Sequence, residues 1–152
     1  MRHVSIILSS FCIVSAGLSG FAADVDWAVA SGNWNVGASW GGTEPAAADT
    51  ARVNNAGTAT LASDESITAV EVGVGAANSG TVTQNSGELS VVGSATVGGD
   101  SGTGEWTLNG GALVLGGNLN VAAEAGSTGA VTVEPGASLS ANDIVFAANT
   151  AG

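Results

Sequence analysis

The chain has 152 residues, of which 45% are hydrophobic and only 10% are charged, and its formal net charge at pH 7 is −11. After residue 22 it contains no Cys, His, Lys, Tyr or Met and a single Arg, so the common general bases and nucleophiles and the nitrogen and sulfur ligands of zinc are missing. This composition argues against disulfides, nucleic-acid binding and most catalytic chemistry.

The N-terminal segment, 1–22, has the pattern of a secretory signal peptide. A weakly basic start is followed by an apolar run from Val4 to Leu18 and then by small residues. The run is too short, and too interrupted by Ser and Gly, for a membrane span. We therefore predict cleavage after Ala22 or Ala23, a secreted or cell-surface location, and no membrane insertion of the mature chain.

Residues 23–66 contain three of the four tryptophans, Trp27, Trp34 and Trp40. Indole rings bury large areas while the ring N–H can still reach a partner. We predict that this segment is a cap on the N-terminal end of the repeats that follow. The alternative role of the three rings is a platform on which a carbohydrate stacks.

Residues 67–152 repeat a pattern of about 25 residues in which apolar and polar or small residues alternate. Alternation with a period of two predicts strands, and repetition at this spacing predicts coils stacked on one another. The sequence thus predicts an all-β fold, a parallel β-helix or β-solenoid with three strands per coil and a right-handed crossover. The equivalent apolar positions form four columns: Val70, Ala95, Leu119 and Ile144; Val72, Val97, Val121 and Phe146; Val82, Trp106 and Val131; Gln84, Leu108 and Val133.

The C-terminal segment, 143–152, matches the opening of a fourth coil. A solenoid normally ends in a polar cap, and none is recognisable here. We interpret the chain as truncated within that coil and as the N-terminal part of a larger protein.

The tryptophan-rich segment also carries a family resemblance. Its residues are Trp27, Gly32-Asn33-Trp34-Asn35, Ser39-Trp40-Gly41-Gly42, Pro45 and Asp49-Thr50-Ala51-Arg52-Val53. This pattern resembles the start of bacterial secreted and surface proteins with autotransporter-like β-helix repeats. Many of those, in environmental Gram-negative bacteria, end in a PEP-CTERM sorting segment. The resemblance covers most of the mature chain and implies an adhesion or extracellular-matrix role.

Two carboxylates form a candidate cation site. Asp100 and Glu124 each lie three residues beyond a valine of one column, so stacked coils would bring them together. Two close carboxylates repel each other unless solvent or a cation screens them, and oxygen ligands suit calcium. We consider them low-ranking calcium candidates, with a solvated turn as the alternative, and expect no other cofactor.

A file of threonines, Thr83, Thr107 and Thr132, is predicted on the outer face of the coils. Flat threonine arrays also occur in ice-binding solenoids. A second rank is missing here, because the positions beside the last two threonines hold Glu105 and Ala130. We interpret the file as an ordinary β surface, which suits β-branched residues.

These patterns together predict a non-catalytic, extracellular structural or adhesin-like β-solenoid that forms part of a larger cell-surface or matrix protein. Its partner is expected on an extracellular surface, in the matrix or among glycans. The alternative is a carbohydrate-binding or carbohydrate-active β-helix protein, because glycoside hydrolysis by two carboxylates needs none of the missing residue types.

Overall fold

A computed structural model describes residues 22–146 and shows a β-solenoid of about five turns, with about 24 residues per turn. This confirms the fold class that the repeat predicts. The proposed signal peptide lies, except for Ala22, outside the described residues. The strands are, in chain order, β1 (Asp24–Asp26), β2 (Ser31–Asn33), β3 (Thr50–Val53), β4 (Asn55–Leu61), β5 (Glu65–Ile67), β6 (Ala69–Val74), β7 (Ser79–Gln84), β8 (Glu88–Val91), β9 (Ala95–Gly99), β10 (Thr103–Leu108), β11 (Gly111–Leu115), β12 (Leu119–Val121), β13 (Thr128–Val133), β14 (Ala137–Ser140) and β15 (Ile144–Phe146).

Successive coils contribute strands to three parallel sheets that run the length of the stack. The first sheet has the order β1-β3-β6-β9-β12-β15, the second has β2-β4-β7-β10-β13, and the third has β5-β8-β11-β14. A 3₁₀ helix, Gly37–Trp40, takes the place of the third strand in the first coil. Each inner strand of a sheet therefore pairs with the strands one coil before and one coil after it, and not with its neighbours in the sequence.

The register of the sheets confirms the predicted columns. Val97 lies between Val72 and Val121, and Trp106 lies between Val82 and Val131. The inward positions of the inner coils are fully buried, because alternate residues of each strand face the interior. The core is thus a set of parallel apolar columns, each one side chain wide.

One inward position carries an amide. Gln84 is fully buried between Leu61 and Leu108 in its column. Its side-chain Nε2 donates to the carbonyl of Gly87 in its own coil, at 3.1 Å, and to that of Ala112 in the next coil, at 2.8 Å. Its side-chain Oε1 is buried without a hydrogen-bond partner among the described residues. Because an unpaired buried polar group is costly, the two bonds of Nε2 offset only part of the cost of burying this amide.

The coils begin earlier than the predicted boundary between cap and repeats at residues 66 and 67. Strands β3, β4 and β5, which lie mostly before that boundary, form a complete coil paired with the next one. Trp27 follows β1 and its backbone N–H donates to the carbonyl of Arg52, and Trp34 follows β2 and donates likewise to Thr60. The tryptophan-rich segment therefore comprises the first coil and part of the second, and its three tryptophans lie at the N-terminal end of the stack, where the cap was predicted.

The corner between the first and second sheets needs a left-handed backbone. Gly73 and Gly98, which follow the valine column, have φ of 61° and 71°. Ala122 occupies the same corner one coil later with φ of 49°. A Cβ atom added at Gly98 would collide with the carbonyl oxygen of Thr128. The corner therefore tolerates a side chain at Ala122 but not in the coil before it.

This difference predicts opposite results for two matched substitutions. Gly98→Ala should lower the free energy of unfolding by about 2 kcal/mol or more, since it adds both a clash and an unfavourable φ. Ala122→Gly should leave it unchanged or raise it by up to about 1 kcal/mol, because glycine relieves the strain at positive φ. Urea denaturation followed by circular dichroism measures both. An Ala122→Gly variant as unstable as Gly98→Ala would contradict this account.

Candidate functional site

The three N-terminal tryptophans form one cluster, here called the Trp cluster (Trp27, Trp34 and Trp40). The ring of Trp40 lies edge-to-face between the other two, with centroid distances of 4.9 Å to Trp27 and 4.8 Å to Trp34 and interplanar angles of 88° and 77°. Edge-to-face contact places the positive edge of one ring on the negative face of another and adds about 0.5–1.5 kcal/mol per pair beyond burial.

The Trp cluster is buried. The exposed fractions are 2% for Trp27, 1% for Trp34 and 5% for Trp40. The Nε1–H of Trp40 donates to the backbone carbonyl of Trp34 at 2.5 Å. The ring N–H groups of Trp27 and Trp34 are buried and have no hydrogen-bond partner among the described residues. The expectation that each ring N–H reaches a partner therefore holds for Trp40 alone.

The burial decides between the two roles considered for these rings. A sugar-stacking platform needs ring faces that are open to solvent, and none of the three rings offers one in this conformation. The geometry is that of a core cluster, in which Trp27 and Trp34 continue the apolar columns of the first two sheets at their N-terminal end. The carbohydrate platform of Trp27, Trp34 and Trp40 is thus not formed.

Replacing Trp34 by Ala should lower the free energy of unfolding by about 3–5 kcal/mol, because it removes one of the two largest fully buried side chains and leaves a cavity beside Trp40. Val36→Ala, two residues away at a position that is 43% exposed, is the matched control and should change stability by less than about 0.5 kcal/mol. Chemical denaturation measures both variants. A Trp34→Ala protein as stable as the parent would show that the cluster does not hold this end together.

Asp100 and Glu124 lie close together on adjacent coils, as the repeat predicts. Asp100 and Ser101 have φ of 50° and 65°, and the N–H of Gly102 donates to the carbonyl of Gly99 at 2.8 Å, which is the geometry of a type I′ turn. The next turn packs on this one, where the N–H of Ser101 donates to Oγ of Ser127 at 3.1 Å. The turn backbone thus positions the two carboxyl groups.

The contact changes the acidity of Glu124. A side-chain hydrogen bond with Asp100 and, next, the negative charge of Asp100 raise the pKa of Glu124 above its usual value of 4.5. Desolvation raises this pKa further, and a hydrogen bond from the backbone of Asp100 lowers it. The proton-bound form of Glu124 can donate to Asp100, so the contact favours protonation of Glu124.

The pair supplies little to a calcium ion. Calcium takes about six to eight oxygen ligands, and Asp100 and Glu124 are both exposed. Within residues 22–146, no group of three or more His, Cys, Asp or Glu side chains is placed to hold a metal. Calcium binding here stays a prediction without further structural support, and the solvated turn accounts for the geometry.

Glu124→Gln should change how stability depends on pH. The raised pKa means that the folded parent binds a proton more tightly than the unfolded chain, so the parent gains stability as the pH falls through that pKa towards 4.5. The variant should therefore equal or exceed the parent in stability at pH 7, and its advantage should shrink as the pH falls. Thermal melts between pH 7 and pH 4.5 measure this, with Glu105→Gln as the control for losing one exposed carboxylate. An advantage that grows on acidification would contradict the assignment.

The threonine file is continuous on the outer face of the second sheet. Thr83 pairs with Thr107, which pairs with Thr132, and Thr60 extends the file by one coil. The neighbouring rank holds, in coil order, Thr58, Thr81, Glu105 and Ala130. Threonine thus fills both ranks in only two adjacent coils, and the surface has no extended two-rank array.

Two features of the outer surface, an ion-pair network around Arg52 and an acidic groove, were not predicted from the sequence. Arg52 bridges three coils on the outer face of the first sheet, with Nη2 2.6 Å from Oδ2 of Asp24 and Nε 3.1 Å from Oε2 of Glu71. The sequence did contain a signal for the ion pair between Arg52 and Glu71, because Arg52 occupies the same outward column as Glu71, one coil earlier. On the third sheet, an open groove of about 530 Å³ is lined by Asp64, Glu65, Ser66, Glu88 and Ser90.

Comparison of the chain with models of protein families, with curated proteins and with solved structures yields no match. The resemblance to autotransporter-like surface proteins therefore stays a prediction. Among the described residues, no helix has the length and apolar character needed to cross a membrane.

Proposed function

We propose that this chain is a non-catalytic structural segment, adhesin-like in its role, that is exported and belongs to a larger protein at the cell surface or in the extracellular matrix. The observation that carries the proposal is the parallel pairing of three sheets from coil to coil in a stack of about five turns. Backbone ladders of this kind make a stiff scaffold whose length is set by the number of coils, at about 4.8 Å per coil.

The side chains of the coils support a scaffold rather than a reaction centre. Inward positions pack in apolar columns, and the outward carboxylates are spread over the faces of all three sheets and their turns. After residue 22 the chain has no His, Cys, Lys or Tyr, so a reaction would have to run on carboxylates alone. The acidic surface suits solubility outside the cell and disfavours anionic partners.

Export is supported by the sequence pattern of residues 1–22, and attachment to a larger protein by the resemblance described above.

A scaffold role leads to a specific expectation about deletions. Because each coil touches only its neighbours, removing one whole coil should join the remaining coils in register, whereas removing half a coil should not.

The test compares three proteins in the cells that produce them: the parent, a variant lacking Ala95–Asn118, and a variant lacking Ala95–Trp106. The first deletion removes one complete coil and returns Leu119 to the column of Val70, whereas the second removes half a coil and disrupts the register. We expect the parent and the whole-coil variant to begin at Ala23 or Asp24 and to be accessible to antibody on intact cells. The half-coil variant should be degraded.

A parent protein retained inside the cells with its segment 1–22 still attached would refute the export part of the proposal. A whole-coil deletion that unfolds like the half-coil deletion would refute the scaffold part. N-terminal sequencing and antibody labelling of intact cells read the first outcome, and circular dichroism of the purified variants reads the second.

A further inference from the structure

The carboxylate of Asp49, just before β3, binds the backbone that leads into β1. Its Oδ1 accepts a hydrogen bond from the N–H of Ala23 at 2.9 Å, and its Oδ2 accepts one from the N–H of Ala46 at 2.8 Å. The carbonyl of Ala23 accepts in turn from the N–H of Thr50 at 2.8 Å. The nitrogen of Ala23 is therefore held against the carboxylate from two sides.

The loop that carries Asp49 is itself anchored. The N–H of Asp49 donates to the carbonyl of Ala46 at 2.9 Å, and its carbonyl accepts from the N–H of Thr68, in the next coil, at 3.0 Å. The hydroxyl of Thr68 also donates to the carbonyl of Ala47 at 3.1 Å. The carboxylate is thus already ordered, so binding a cation at the Ala23 nitrogen costs little further side-chain entropy.

Cleavage after Ala22, one of the two sites that the sequence predicts, would change the chemistry of this nitrogen. The neutral peptide N–H of Ala23 would become an α-ammonium group, which carries a positive charge at neutral pH. A charged donor forms a shorter hydrogen bond with a carboxylate and one roughly twice as strong as a neutral pair does. Cleavage after Ala23 would instead remove the nitrogen that Asp49 binds.

The surrounding charges leave Asp49 available to this ammonium group. Asp24, the next residue in the chain, is already paired with Arg52, whose Nη2 lies 2.6 Å from its Oδ2. Among the described residues, no arginine or lysine side chain lies within salt-bridge distance of Asp49. The α-ammonium would therefore supply the positive charge that this carboxylate lacks.

We propose that Asp49 is the binding site for the α-ammonium group of Ala23, which is created when the segment 1–22 is removed by cleavage after Ala22. This inference rests on the export part of the proposed function. Strand β1 pairs only with β3, so it is held from one side. The ion pair fastens the start of β1 to the second coil and makes the processed chain more stable than the same chain with an uncharged nitrogen at Ala23.

The test uses acetylation of the exported protein. No lysine occurs between residues 23 and 152, so an amine-selective reagent modifies the α-amine alone. Acetylation removes its charge but leaves an amide N–H, as in the uncleaved chain. Melting temperatures are compared before and after acetylation for the parent, for Asp49→Asn and for Glu44→Gln. Glu44 is an exposed carboxylate on the same loop and is the matched control.

We expect acetylation to lower the melting temperature of the parent and of Glu44→Gln by about 1–3 °C, the effect of one solvent-exposed ion pair in a chain of this length. In Asp49→Asn the loss should be less than half as large. A second measurement needs no variant: acetylation of the parent should move the NMR signal of the Ala46 amide, which shares the carboxylate. The amide of Glu88, which donates to Asp64 at 2.8 Å, is the control and should not move.

Failure of this inference can be told apart from failure of export. An exported protein that begins at Asp24 would overturn the inference and leave export standing. The same holds for an acetylated parent with an unchanged melting temperature and an unmoved Ala46 signal, and for an equal loss in Asp49→Asn, which would place the effect of the charge elsewhere. A protein retained in the cells with the segment 1–22 attached would refute export and this inference together.

Discussion

Parallel pairing in fixed register between one coil and the next is the constraint on which the rest of this structure depends. A slip of one residue would turn every inward column outward, because side chains alternate along a strand with a period of two. The register fixes the core as columns, and it also brings distant residues together on the outer faces. Arg52 reaches Asp24 and Glu71 only because their strands are neighbours in one sheet.

Gln84 contributes to the register in a way that an apolar residue could not. Leucine at the same position of a coil fits at any small axial offset, since apolar contacts have no direction. The Gln84 amide instead bonds to one carbonyl of its own turn and to one of the next coil. These bonds are directional, so they favour one alignment of the third and fourth coils. The corner at Gly73 and Gly98 acts on backbone direction rather than on register.

Much of the fold could be predicted because the coils from β6 onward have nearly constant length. Val72, Val97 and Val121 recur at almost equal intervals, so the columns are visible in the sequence. The earlier coils could not be found in that way. The interval from Val53 to Val72 is much shorter than the later ones, because the second coil has shorter connections, and a search for a constant period misses it.

The candidate sites were predictable to different degrees. The adjacency of Asp100 and Glu124 follows from column positions, and the pKa of Glu124 reflects it. Whether the tryptophan rings faced inward or outward could not be read from their spacing, since both roles need aromatic residues at the end of a stack. The left-handed backbone at Ala122 could not be predicted from the sequence either, because it follows only from the position of Ala122 at the corner that Gly73 and Gly98 occupy in the two coils before it.

The Trp cluster gives the stack a direction along its axis. Each coil is stabilised only by its neighbours, so coils are lost from the ends. One end is closed by three interlocked indole rings with little exposed apolar surface, while the other exposes the column ends at Val133, Ile144 and Phe146. Among the described residues, amide hydrogen exchange should therefore be faster in the last coil than near the tryptophans.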